Sequence, residues 1–510
     1  MKTIQVKQFK SSELNPVFNS VKSIEIDDKP FDSGAFGEVY YCSSINGQNI
    51  KSKQVLKIFI DDGSGSANRG YKTVITLQEQ IIIHNKELKN NKKKQIQQIN
   101  ALGALPQFSF SGDLNGRKVL GYSANLLSSK NWTLFGKIFN EENLEKRKQL
   151  RNNFYNLPIN DRLKMAYDLV EGFSHLEQMK FIYADLNPKN FFINERETKL
   201  CLIDYEGGAI NDNPETYGKL GEWLAPEIQK QLLNNNSPKI KVDLNTDTWA
   251  VAIAVHFMLF HFHPLFFLKV RGENEMTDYF KKYKWPKIDK SDSNFRKEHS
   301  ETYDRYIDKL KKQINPSLYE AFASTINNGY NNRNMRLSYK QWLNVLSNIM
   351  LPPKIKSFVA DKTAIINGMS ITLKWEVENA HTVEIDNNVG NVNGKTEITL
   401  RPNKDVVYKI KAIGEFGEDE KIIEIKLFPT PVLESLKVPI PDFVSKINLD
   451  LIQINPPQIN VSINFNLMSN EPIFTESPKE LKILRPQHMP RAEFLNLSSV
   501  YENIKRKISK

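Results

Sequence analysis

Two cysteines, Cys42 and Cys201, are all that the 510 residues contain. That is too few for a disulfide framework. The N-terminal stretch MKTIQVKQFKSSEL lacks the apolar core of a signal peptide. Together these absences make the cytoplasm the default compartment. Long apolar runs are scarce as well. One, Trp249 to Val270, has the length to span a bilayer. It contains His256, His261, His263 and Pro264 and has no topogenic flank, so it reads as a buried core helix. Asn90 to Lys94 is basic but has no interleaved aromatics. Stacking on nucleic acid is therefore not implied, and a solvated loop is the reading. The terminal Lys505-Arg506-Lys507 has no apolar face beside it, so no membrane-surface role is indicated. His261 and His263 lack the further ligands that a metal site needs and read as structural.

What is present is ordinary globular protein: 40% hydrophobic and 25% charged residues, enough chain for about three domains. The formal net charge of +11 suits an acidic partner, or simply solubility.

The most informative stretch is Phe181 to Ala209, FIYADLNPKNFFINERETKLCLIDYEGGA. Two β-prone patches, Phe191-Phe192-Ile193 and Leu200-Cys201-Leu202-Ile203, flank a charged turn, which predicts a hairpin. Asp185 and Asn190 stand before the first strand and Asp204 after the second. Two carboxylates and an amide at one end of a hairpin suit Mg²⁺, which takes hard oxygen ligands and shares them with phosphates. Upstream, Lys57 lies inside the apolar strand Gln54 to Phe59, where an amine is costly unless it meets an anion. Tyr71 to Leu88 has Val74, Leu77, Ile81 and Leu88 at helical spacing. Leu163 to Met179 is a second amphipathic helix.

The D-x-x-x-x-N spacing from Asp185 to Asn190, with Asp204 at the strand end, resembles the catalytic and metal-binding segments of protein kinases. Other pieces follow in the right order. Asp32-Ser33-Gly34-Ala35-Phe36-Gly37-Glu38-Val39 is similar to the family's Gly-rich loop, with Asp32 in place of the first glycine. Lys57 matches the strand lysine, Leu224-Ala225-Pro226-Glu227 the A-P-E segment, and Asp247-Thr248-Trp249 opens the apolar helix. The resemblance implies ATP and Mg²⁺ as cofactors, Asp185 as catalytic base, and Asn190 and Asp204 as metal holders. It implies that Gly34, Ala35, Phe36, Gly37 and Val39 cover the nucleotide and that Lys57 pairs with its phosphates and with a helix glutamate. Glu79 is the candidate for that glutamate, with Glu87 in reserve. It also implies that Asp247 ties down the catalytic loop, where an N-cap is the plainer reading. Arg336 would pair with Glu227, and Trp342 would be a core aromatic.

Departures accompany the matches. Tyr183 and Ala184 stand where most kinases have His and Arg, which removes the obvious receptor for a phosphate on Thr216 or Tyr217. Asn187 replaces a lysine. Glu206 replaces the glycine of D-F-G and reads either as an extra metal carboxylate or as a solvent-facing residue. Two function classes therefore compete: a phosphotransferase acting on Ser/Thr of a protein acceptor, and a pseudokinase scaffold.

The expected fold is α+β, a two-lobed kinase-like domain over 23–352 (small lobe to about 128) after a loosely packed extension at 1–22. Beyond Pro352-Pro353, residues 355 to 428 alternate with period two in about seven short strands. They resemble bacterial immunoglobulin-like sandwiches, which suggests a bacterial source and a partner-binding role. From 429 onward lie 10 of the 24 prolines, an extended tail in which Ile459 to Leu467 could form one strand. The β-domain and tail imply a protein partner.

Overall fold

The computed structural model describes residues 1–430 except 34–36, 61–64, 211–214, 235–237, 270–272, 313 and 415. Gly34, Ala35 and Phe36 lie outside the described residues, as does the tail from 431, including Ile459 to Leu467.

Strand pairing starts at the second residue. β1 (Lys2–Ser11), β2 (Ser23–Ile26), β3 (Asp32–Ser33), β4 (Gly37–Ile45), β5 (Gln48–Phe59), β6 (Phe108–Leu114) and β7 (Arg117–Asn125) form an antiparallel sheet in the order β2-β1-β6-β7-β5-β4-β3. β2 also pairs with β4, through Ile24–Ile45 and Ile26–Cys42. This extra ladder returns the sheet onto itself, so six strands close into a barrel. Ile4, Ile24, Leu56, Phe108 and Phe110 fill its core. The loosely packed extension at 1–22 is thereby corrected: Ile4 and Phe18 are fully buried. Period-two reading fails on β1 because its register with β6 shifts between Val6 and Gln8.

α1 (Ser66–Asn90) follows. Its Ala67 and Val74 pack on Phe59, Tyr122 and Ala124 of the sheet, and its Leu77, Ile81 and Leu88 join the core of the large lobe. That lobe contains β8 (Thr133–Leu134), α2 (Lys137–Asn140), α3 (Leu144–Tyr155) and α4 (Ile159–Gln178). Then come β9 (Phe181–Ile182), β10 (Phe191–Asn194), β11 (Lys199–Leu202), β12 (Ala209–Ile210) and β13 (Glu215–Tyr217). α5 (Pro226–Asn234), β14 (Lys239–Lys241) and α6 (Thr246–Phe260) follow. α7 (Glu273–Lys282), α8 (Ser300–Lys312), α9 (Pro316–Ala323), α10 (Gly329–Asn331) and α11 (Tyr339–Ile349) complete it. α6 is buried at every position but Phe257, as its all-round apolar sequence requires. Among the described residues no helix is long and apolar enough to cross a membrane. Trp342 is fully buried.

Residues 354–428 form two further sheets. β15 (Lys354–Ala360), β17 (Ile371–Glu378) and β20 (Glu397–Leu400) make one, in the order β15-β17-β20. The other is β16-β22-β21-β18-β19, from β16 (Ala364–Ile366), β18 (Thr382–Ile385), β19 (Gly390–Asn391), β21 (Val406–Gly414) and β22 (Gly417–Phe428). Leu373 and Trp375 of the first share a core with Ile385, Ile410 and Ile425 of the second. Inward residues alternate with exposed ones, as expected of stacked sheets.

Candidate active site

The predicted hairpin forms, with Phe191 opposite Leu202 and Asn194 opposite Lys199. Asp185 lies in the loop between β9 and β10, Asn190 directly before β10, and Asp204 just after β11. Asp204 takes a left-handed backbone conformation, φ 58°, which a short polar side chain tolerates better than most. Ala184 does so too, at φ 63°, and alanine has no such excuse.

What over-determines Ala184 is Asp247. Its Oδ2 accepts from the Tyr183 amide at 2.7 Å and its Oδ1 from the Ala184 amide at 2.8 Å. Asp247 thus ties down the loop that carries Asp185. It is not an N-cap, since Asn245 occupies that position. Burial pushes the Asp247 carboxyl up to about 7, against the pull of those two amides. Tyr183, where the resemblance leads one to expect histidine, is fully buried. Its hydroxyl lies within hydrogen-bond reach of the carbonyls of Asn190 and Ile203 and so joins both arms of the hairpin.

Both oxygens of Asp185 are held. Oδ1 accepts from Asn187 Nδ2 and Oδ2 from Asn190 Nδ2, each at 2.9 Å. Asn187, in place of lysine, therefore orients the carboxylate by amide donation. Asp185 is exposed by surface area yet closely surrounded by protein. That crowding raises its pKa, against the lowering effect of the two amides. Asn190 donates its nitrogen, which leaves its amide oxygen as the atom available to a cation.

Lys57 reaches this group from β5, opposite Val39 on one side and Tyr122 on the other. Its ammonium donates to Asp204 Oδ1 at 2.8 Å and also contacts Glu206 Oε1. Burial alone would lower its pKa; the carboxylates of Glu206 and Asp204 outweigh that and raise it. Lysine, aspartate, asparagine and aspartate from distant parts of the chain thus meet in one place.

Glu206 faces neither solvent nor an obvious metal position. It is 1% exposed, and its Oε2 accepts from the Tyr122 hydroxyl at 2.8 Å. Glu79 requires correction: it pairs with Lys10 of β1 and is half exposed. It stands two residues from Leu77, whose burial defines the inward side of α1, so it points away. The spacing that predicts the helix already excludes it. Glu87 is exposed as well, 3.8 Å from His84. At the sheet end of α1 stands Gly70. A β-carbon there would lie 2.9 Å from Phe59 Cε1 and 3.5 Å from Glu206 Cβ.

Gly37 is fixed by packing. A β-carbon there would sit 2.3 Å from the Ile58 carbonyl oxygen on the paired strand. Asp32 is exposed, and its carboxylate accepts from the Ser33 amide at 2.8 Å.

The segment after Asp204 is anchored without phosphate. β12 pairs with β9 and β13 with β14. Thr216 is 1% exposed and donates its hydroxyl to the Gly207 carbonyl at 2.6 Å. Arg69 of α1 donates to the carbonyls of Gly208 and Glu215 and covers the Tyr217 ring. Farther on, Arg336 grips Glu227 through two bonds of 2.8 and 2.6 Å. The histidines are structural. His261 Nε2 lies 2.7 Å from Arg162 Nη1, and His263 bonds to the Glu222 carbonyl and the Leu265 amide.

The family description "Protein kinase domain" matches residues 32–319, more than half of the chain. The chain belongs to the protein kinase family. Among curated relatives, the chain is 29% identical over 94 residues to the MAP kinase kinase MKK1/SSP32 of Saccharomyces cerevisiae, covering 18% of this chain and 17% of that one. It is 29% identical over 131 residues to an inactive serine/threonine-protein kinase/endoribonuclease IRE1-like protein of Arabidopsis thaliana, covering 24% and 23%. The chain thus spans less than a quarter of the length of either relative. A solved twitchin kinase region from C. elegans is 16% identical, covers 79% of this chain and 73% of its own, and superposes with a TM-score of 0.35.

Sequence reasoning missed Arg69, and it noted Tyr183, Asn187 and Glu206 as departures without finding their contacts. Glu206 carried a signal: α1 has only two acidic residues, and neither lies on its inward side.

Proposed function

We propose that this kinase is an ATP- and Mg²⁺-dependent phosphotransferase that moves the γ-phosphoryl group to a Ser/Thr hydroxyl of a protein acceptor. The observation that carries the reading is the meeting of Lys57 with Asp204 at 2.8 Å beside the Asp185–Asn190 pair. The donors fit the metal. The Asn190 amide oxygen and the exposed Asp204 carboxylate are hard oxygens, which Mg²⁺ takes together with phosphates. When bound, the ion would neutralise phosphate charge. Lys57 binds the nucleotide phosphates and Gly37 and Val39 lie along its roof. Asp185, oriented by two amides, accepts the acceptor's hydroxyl proton as that oxygen bonds to phosphorus and ADP leaves. Most of the rate enhancement comes from positioning and fixed charge.

The deciding assay incubates the protein with Mg²⁺ and γ-labelled ATP, with and without a generic protein acceptor. Asp185→Ala and Asp204→Ala serve as controls. Label transferred by the wild type and lost in both variants supports catalysis. Asp32 in place of the first glycine favours a second reading, a scaffold that binds nucleotide without turnover. No label, with ATP still raising the melting temperature, would select it.

Asp185 must be ionised to act as base, and its surroundings raise its pKa. The acid limb of the kcat/KM profile should therefore lie above the usual aspartate value of about 3.9. Activity that holds constant down through that value would rule Asp185 out.

Activation by phosphorylation of the segment after Asp204 is not expected. Thr216 is buried and already bonded. Phosphatase treatment should leave transfer unchanged, and Thr216→Ala should keep it within about threefold while costing about 1 kcal/mol of stability. A requirement for phosphate on Thr216 or Tyr217 would contradict this.

The same reading takes 354–428 as an immunoglobulin-like module that, with the tail, engages a partner protein. Two free, buried cysteines suit the reducing cytoplasm, a bacterial one in this reading.

A further inference from the structure

We propose that Glu206 is the positioning residue for Lys57, occupying the role that the family gives to a helix carboxylate. α1 offers Gly70 where it meets the loop, and the loop offers Glu206 where the family has glycine. The Glu206 Cβ lies 3.5 Å from the β-carbon that Gly70 lacks. Neither acidic residue of α1 is at hand: Glu79 is bound to Lys10 and Glu87 is exposed. The inference rests on the phosphotransfer reading above.

The two carboxylates on Lys57 divide the work. Asp204 has a side chain 40% exposed and can turn to an incoming ligand. The Glu206 side chain is 1% exposed and held by Tyr122 as well as Lys57. A buried carboxylate stripped of its partner is heavily penalised, so Lys57 stays with Glu206 while Asp204 is released. Glu206 is also only two residues from Asp204, in the tight turn Tyr205–Gly207. Lysine partner and metal carboxylate therefore move as one piece. The ion pair forms without any swing of α1, whose part at this point is to leave room at Gly70 and to brace the segment through Arg69.

The test compares wild type with Glu206→Gln and Glu206→Asp in the full chain. Three quantities are read: kcat and KM for ATP, the melting temperature, and the rate at which an amine-selective acylating reagent labels Lys57, followed by mass spectrometry. Glu206→Gln keeps size and the Tyr122 contact but removes charge. It should lower kcat about 100-fold, the scale of a misplaced reacting group. It should label Lys57 about tenfold faster, because the amine loses the buried ionic contact that holds it inside, away from the reagent. Glu206→Asp should recover part of both effects at an unchanged charge. Labelling at the wild-type rate in Glu206→Gln overturns the inference, as does a kcat equal to or above wild type, which would make the pair a brake. Should the wild type transfer no phosphate, the phosphotransfer reading falls. Labelling of Lys57 then still decides whether Glu206 holds it. Should Glu206→Gln melt before assay, Glu206→Asp, which keeps the charge but shortens its reach, should show smaller changes in kcat and in Lys57 labelling, and wild-type values of both would overturn the inference.

Discussion

Asp204→Ala should lower kcat by about 10³-fold or more while leaving the fold intact, the scale expected when a fixed charge is withdrawn from a transferring phosphoryl group. Two features limit the cost to the fold. The Asp204 side chain is 40% exposed, so its removal opens no cavity. Lys57 retains Glu206, so its ammonium is not stranded in the interior. The melting temperature should fall by several degrees, chiefly because alanine at φ 58° loses the tolerance of the left-handed region that aspartate has there. Asp204→Asn refines the test. It preserves shape and a donor-acceptor pair but not the charge, and should be nearly as damaging as alanine. A variant that retains a tenth of wild-type kcat would mean that Asp204 is not among the groups facing the phosphates.

The largest effect on stability is expected at Arg336. Its side chain is 1% exposed. Beyond the two bonds to Glu227, it donates to the carbonyls of Gly329 and Asn245, and its guanidinium lies 5.4 Å from the centre of the Trp249 ring. It therefore joins the start of α5, the start of α6 and the turn at α10. Gly329 is shaped for it: a β-carbon there would lie 2.5 Å from Arg336 Cγ. Arg336→Leu removes the cation and leaves a carboxylate and two carbonyls without their donor, which should cost about 3–5 kcal/mol. Glu227 is 25% exposed and can be reached by water. Glu227→Gln should therefore cost less, about 1–2 kcal/mol. Chemical denaturation measures both. A loss below about 1 kcal/mol for Arg336→Leu would mean that the carbonyls find other donors.

The parts of the site that could be read beforehand were those written in local pattern. Apolar patches bracketed by Asp185, Asn190 and Asp204 specify a hairpin with polar groups at one end, and pairing across that hairpin does the rest. Lys57 was legible because an amine in an apolar strand needs an anion. The identity of the anion was not, because it depends on which element comes nearest, and that is a tertiary fact. Glu79 looked suitable in residue type but stood on the wrong side of its helix. Glu206 looked like a surface residue because glutamate usually is one, and only Lys57 and Tyr122, the latter 84 positions away, reveal why it is inside. The first strand was missed because a bulge disrupts its alternation. The buried helix α6 was legible from its all-round apolar sequence but its end was not: the apolar run expected to be one helix over Trp249 to Val270 leaves the helix at Phe260, where His261 turns left-handed at φ 70°.

The closed small lobe bears on how the molecule can be handled. The family match begins at residue 32, and a shortened protein starting there would be an obvious choice for expression. It would lack β1 and β2, two of the six staves. The apolar lining at Phe108 and Phe110 would then open to water, and β4 and β6 would each present a bare edge ready to stitch to another copy. Such a fragment should precipitate, whereas one that keeps Met1 to Phe31 should stay in solution.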